Sequence, residues 1–120
     1  MTRRVFPRWV LSAAAWVALV LQLIMLYAPD VPGPDTFFIP RLDLVAHCVS
    51  FGLAAGLWTA LVSRPYLIGA LFAVHAFVSE AIQAAWLTRT GDWWDIVADL
   101  VGVAAGVVIG LRALRGWRRG

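Results

Sequence analysis

The chain contains no lysine; its ten basic residues are all arginine. It has a single cysteine, Cys48, which rules out an intrachain disulfide framework and falls within an apolar stretch, where a small buried hydrophobe is its expected role. Charge is scarce. Only 14% of the 120 residues are charged while 62% are hydrophobic, with mean hydropathy +0.80, more apolar surface than a soluble domain of this size can enclose in one core. The isoelectric point near 10 does not mark a nucleic-acid binder. Such a surface needs basic residues on a soluble face with aromatic platforms, whereas these arginines flank apolar runs, so no nucleic-acid partner is expected.

What is abundant is apolar sequence in blocks of bilayer length. A hydrocarbon core of about 30 Å needs about 20 helical residues, and four blocks qualify: Trp9–Ala28, Leu42–Val62, Tyr66–Leu87 and Trp93–Leu114. Backbone polar groups must be satisfied within each segment in lipid, and the blocks lack the alternation of a barrel. The spacing therefore predicts an all-α membrane protein, a single domain over 1–120, folded as an antiparallel bundle of four transmembrane helices. The first block is longer than a signal-peptide core and no small-x-small site closes it before Pro29, so it reads as a retained anchor.

Orientation comes from the arginines, which stay on the cytoplasmic side of a span. Arg3, Arg4 and Arg8 precede the first block, Arg64 sits between the second and third, and Arg112, Arg115, Arg118 and Arg119 close the chain. Only Arg41 and Arg89 fall on the other side. Four crossings then place both termini in the cytoplasm. Trp9, Trp86, Trp93, Trp94 and Trp117 lie near span ends, as an interfacial aromatic belt requires. The outer segment 29–40 is punctuated by proline and cannot be helical throughout. Its Phe37 and Phe38 are placed to dip into the headgroups or to pack on the helix ends.

With topology imposed, the remaining ionisable residues gather in the outer half. Helix 2 enters with Asp43 and His47, helix 3 leaves with Glu80 and Gln83, and helix 4 re-enters after Asp92 with Asp95 and Asp99. At 1.5 Å per residue His47, Glu80 and Asp99 each sit within roughly 10 Å of the outer end. Spacings of three and four keep each set on one face. On helix 4 that face continues as Gly102, Gly106 and Gly110, a small-xxx-small stripe that admits a close neighbour, and Val107 is expected to face lipid. Ionisable groups in a membrane mark a site or pathway more often than not, though any one of Asp43, Gln83 or Asp95 can equally be interhelical hydrogen-bond glue. Several carboxylates in one pocket also need a cation, protons or a basic partner. Candidates are His47, Arg41, Arg89, a divalent cation or a ligand's positive group. His75, deeper and about 140° round from Glu80, reads as a core histidine.

The ordered pattern Asp43-x-x-x-His47-x-x-x-Phe51, Ser79-Glu80-x-x-Gln83, Arg89 and Asp95-x-x-x-Asp99-x-x-Gly102 resembles the VanZ-like family of small bacterial membrane proteins, named for an accessory of teicoplanin resistance. The resemblance runs from about Leu42 to Gly110. The family commonly has lysine where this chain has Leu44 and often asparagine at the position of Asp99. It implies a bacterial inner-membrane protein with a cell-envelope role connected to antibiotic resistance, and does not by itself imply an enzyme.

Three functions fit these residues. The leading one is a polar, acid-rich pocket open to the outer leaflet that binds an envelope lipid headgroup or glycopeptide-like ligand through Asp43, His47, Glu80, Gln83, Arg89, Asp92, Asp95 and Asp99. The second is an intramembrane hydrolase or transferase with His47 or Glu80 as general base and a divalent metal on Asp95, Asp99 and Glu80, although the spacing matches no specific metal motif. The third is a small proton-coupled carrier or flippase, with oligomerisation supplying missing walls.

Overall fold

The computed structural model describes residues 6–28, 42–86 and 93–118. These form four helices, α1 (Arg8–Tyr27), α2 (Leu42–Val62), α3 (Pro65–Trp86) and α4 (Trp93–Arg118), with no strand among the described residues. Each is long and apolar enough to cross a membrane, and the chain is a multi-pass all-α membrane protein. The segment 29–40 with Phe37 and Phe38, together with Arg3, Arg4, Arg41, Arg89, Asp92 and Arg119, lies outside the described residues.

Helix starts follow local chemistry. Pro7 stands immediately before α1, and Pro65 opens α3, where a missing N–H costs nothing because the first-turn donors have no helical acceptor. α2 and α3 are joined by only Ser63 and Arg64. Ser63 adopts φ 61°, and its N–H returns to the Thr59 carbonyl at 2.9 Å, the left-handed cap that usually calls for glycine. α4 runs past Leu114, the expected boundary, to Arg118. Arg115 is exposed on that extra turn, and an arginine stem that reaches out to the headgroups need not end a helix.

The buried residues form one stripe per helix. On α1 they are Ala15, Ala18, Gln22 and Leu26; on α2 His47, Phe51, Ala54, Ala55, Thr59 and Ala60; on α3 Ile68, Phe72, Ala76, Ser79, Glu80 and Gln83. Steps of three and four are helical periodicity, and Val, Leu and Ile side chains such as Val20, Leu53, Val74 and Ile109 are exposed on the other faces, as lipid-facing surface should be. Phe51 is fully buried and meets Phe72 edge-on.

The closest packing is between α2 and α4, which run in the same direction. A Cβ on Gly102 would land on the Cys48 carbonyl oxygen, and one on Gly106 would land on that of Gly52. Backbone therefore touches backbone along the seam, as small-residue stripes allow in lipid. Gly110 continues it against Gly56 and the buried Thr59. Val107 is not the lipid-facing residue expected from phase. It is partly buried against the core and lies beside Gly69 of α3, because α3 occupies that flank of α4.

α1 is tied on by side-chain hydrogen bonds. Trp58 Nε1 donates to the Ala15 carbonyl at 3.1 Å, and Gln83 Nε2 donates to the Leu26 carbonyl at 2.7 Å. Trp58 also meets Trp16 edge to face, 4.9 Å between centroids. Trp9, Trp86, Trp93 and Trp94 are exposed at helix ends, and Trp117 is partly exposed near the end of α4.

Two outcomes test this packing. Gly106→Ala should lower unfolding stability in detergent by about 1–3 kcal/mol through overpacking against Gly52, while Val108→Leu on an exposed face should be nearly neutral. At the tight connection, Ser63→Gly should raise stability by about 0.5–1 kcal/mol, the left-handed strain relieved less the entropy glycine loses; a lower melting temperature would contradict the strained-cap reading.

Candidate functional site

The α2–α4 seam determines where the polar groups meet. His47 lies one residue before Cys48, and Asp99 three residues before Gly102, so the backbone contact between Cys48 and Gly102 brings their side chains together just above it. His47 Nδ1 donates to Asp99 Oδ1 at 2.8 Å. His47 Nε2 lies 3.7 Å from Asp95 Oδ2, one turn nearer the helix end. Asp99 thus holds one nitrogen of the imidazole by a hydrogen bond, as an orienting partner does in acid–base and ligand sites, while Asp95 stands at ion-pair distance from the other.

Burial is deep. Asp99 is 1% exposed and His47 7%, while the Asp95 side chain at 15% is the member that reaches toward the surface. Glu80 of α3, also buried, is close enough for its charge to act on His47. Three helices therefore bring His47, Glu80, Asp95 and Asp99 into one electrostatic neighbourhood.

Other expected members lie elsewhere. Asp43 lies one turn before His47 on the same face but is exposed in the first turn of α2, where none of the described helices covers it. Gln83 is buried, yet its amide caps the Leu26 carbonyl, one of the last α1 carbonyls that have no helical donor. It acts as interhelical glue. Ser79 donates back to the Ala76 carbonyl of its own helix at 3.0 Å. Arg89 and Asp92 lie outside the described residues.

Metal chemistry has a specific geometric requirement, several ligands converging on one point. Among the described residues no three His, Cys, Asp or Glu side chains gather in that way. Asp95 and Asp99 each direct an oxygen at His47 instead.

Some polar residues of the interior have no counterpart in the expected set. Gln22 on α1 is fully buried, and neither atom of its amide has a hydrogen-bond partner among the described residues; the same holds for Asp99 Oδ2 and the Thr59 hydroxyl. The signal for Gln22 was present as its phase with Ala15, Ala18 and Leu26, a stripe of inward positions. His75, read as a core histidine, is half-buried, hydrogen bonded through Nε2 to the Tyr27 hydroxyl at 3.0 Å, with its ring centroid 5.7 Å from that of Phe51 and tilted 35° to it. Tyr27 was not anticipated as its partner.

Two apolar grooves accompany the polar cluster. One, about 630 Å³, runs along the outside of the α2–α4 seam. The other, about 580 Å³, lies between α1, α2 and α3 with Trp58 and His75 on its wall.

No protein-family model, curated protein or solved structure matches this chain. The functional reading therefore rests on its own residues.

The clamp makes a sharp comparison possible. Asp99→Ala removes the acceptor of a buried His47 N–H and should cost about 1–3 kcal/mol of stability. Asp43→Ala, on an exposed turn, should change stability by no more than about 0.5 kcal/mol. Unfolding of both variants in the same detergent measures the difference, and equal losses would mean that His47 and Asp99 are not paired.

Proposed function

We propose that this chain is a VanZ-like protein of the bacterial inner membrane whose outer-half polar cluster binds the headgroup of an envelope lipid or a glycopeptide-like ligand. The observation that carries the reading is the buried His47, hydrogen bonded to Asp99 through Nδ1 and 3.7 Å from Asp95 at Nε2, with the buried Glu80 within reach of its charge. Buried carboxylates and a histidine are expensive in lipid and weak as a source of stability. Hydroxyl and amine groups are the chemistry that such a cluster recognises, since its carboxylates accept and its imidazole can do either. Asp95, the least buried member, is the natural point of first contact. The ordered VanZ-like motif supports the cell-envelope setting and the link to antibiotic resistance.

A second reading is favoured by the His47–Asp99 hydrogen bond specifically. An imidazole oriented by a buried aspartate through Nδ1 is how many hydrolases prepare Nε2 as a general base. On that reading His47 would activate a hydroxyl or water against an envelope lipid, with Glu80 as the neighbouring acid or base.

Mass spectrometry of molecules that co-purify with the wild-type chain and with Glu80→Gln tests the binding reading. A lipid or glycopeptide-like species enriched on the wild type and depleted on the variant is expected. Identical co-purifying profiles would remove Glu80 from any binding role, and a chemically cleaved lipid accumulating only with the wild type would favour the enzyme.

A further inference from the structure

The cleft between α1, α2 and α3 carries a single imidazole on an otherwise apolar wall. Hydrogen bonds from Gln83 to the Leu26 carbonyl and between His75 and the Tyr27 hydroxyl fasten α3 to the last turn of α1. Toward the starts of these two helices, Trp16 and Leu19 of α1 and Leu71 and Phe72 of α3 line the cleft, together with Trp58 of α2. Trp58 already donates its indole N–H to the Ala15 carbonyl. No Asp, Glu or Arg lines the cleft among the described residues, so His75 is the polar side chain that it offers.

Depth limits what that imidazole can meet. His75 lies midway along α3 (Pro65–Trp86), about 15 Å from either end at 1.5 Å per residue, the middle of a hydrocarbon core about 30 Å thick. The Tyr27 bond engages Nε2, and Nδ1 is the ring's second hydrogen-bonding atom. Acyl chains offer Nδ1 nothing, and a polar atom left unbonded in hydrocarbon is costly. A phospholipid does not answer, because its charged headgroup would have to leave the interface for a cleft with no countercharge. The partner that fits is neutral, carries oxygen on an apolar molecule, and is flat enough to lie against the rings of Trp16, Trp58 and Phe72. Quinones have that chemistry. When Nε2 accepts the Tyr27 proton, Nδ1–H donates to a quinone carbonyl; in the other tautomer Nδ1 accepts from a quinol hydroxyl.

We propose that the cleft between α1, α2 and α3 binds one lipid-soluble quinone or quinol, its ring against the aromatic wall and one ring oxygen hydrogen bonded to His75. The site is separate from the His47 cluster and does not rest on the function proposed for that cluster.

Native mass spectrometry of the full chain titrated with decylubiquinone, together with infrared spectroscopy of the bound quinone's carbonyls, tests it. A saturable one-to-one adduct is expected, with a carbonyl band at lower frequency than in free quinone in the same detergent. His75→Phe should weaken the adduct about fivefold, the loss of one ordinary hydrogen bond, and return the shifted band to its free position. Leu71→Trp, at an exposed position lining the cleft, should abolish the adduct with His75 in place. Absence of a saturable adduct, an adduct indifferent to Leu71→Trp, or a carbonyl band unmoved by His75→Phe overturns the proposal. Displacement of the quinone by equimolar dodecanol would also overturn it, by making the cleft a general site for alkyl alcohols.

Discussion

Everything distinctive in this bundle depends on the close approach of α2 and α4. The two helices are not neighbours in sequence and run in the same direction, so no short turn holds them together. In lipid the usual hydrophobic driving force between helices is absent, and association rests on van der Waals packing and interhelical hydrogen bonds. Glycine supplies the first: Gly102 and Gly106 press directly on the Cys48 and Gly52 carbonyls. The His47–Asp99 hydrogen bond supplies the second, one turn above. Each makes the other possible, since a side chain at Gly102 would separate the helices and pull the imidazole from its acceptor.

The remaining helices are attached by a different device. α1 packs chiefly on α2, and three polar side chains from its neighbours fasten it: Trp58 at the Ala15 carbonyl, Gln83 at the Leu26 carbonyl and His75 at the Tyr27 hydroxyl. The contacts lie at two levels, one near the middle of the helix and two in its last turn. A carbonyl already bonded within a helix keeps a second lone pair, so Trp58 takes nothing from the ladder, while Leu26 lies in the last turn, where carbonyls have no helical donor. Such bonds are worth about 0.6 kcal/mol on average in membranes. α1 is therefore held by position and number, not by any one strong contact.

Fold and site were legible in the sequence to different degrees, for physical reasons. Bilayer thickness imposes span length, so α2 could be bounded from hydropathy alone; α4 outran its block because basic residues can stay helical while their charge reaches the headgroups. Helical phase put His47, Asp95 and Asp99 on faces that the structure brings within 4 Å of one another and Glu80 on the buried face of α3, since an inward stripe on one helix must meet inward stripes on others. Phase says which side of a helix a residue occupies, not what stands opposite. Asp43 shares the side of His47 but lies above the level at which α2 is covered, Gln83 meets the end of α1, and Val107 meets Gly69. Gln22 escaped because one glutamine in an apolar helix barely alters its hydropathy, even though its phase with Ala15, Ala18 and Leu26 placed it inside.

The seam also explains why the two ends of the bundle differ so strongly. Positions three or four residues apart on α4 form one continuous inward row, Asp95, Asp99, Gly102, Gly106 and Gly110, and chemistry changes along it from carboxylate to bare backbone. Where the row carries carboxylates, the space between helices is occupied by His47 and becomes polar and buried. Where it carries glycine, the backbones meet and the space is displaced to the outer side of the contact, where it opens as an apolar groove. A larger residue at any of these glycines would push α2 and α4 apart at both levels, because the helices are rigid over such short distances. The polar cluster and the groove are thus two consequences of a single packing constraint, and a change that widens the seam should disturb them together.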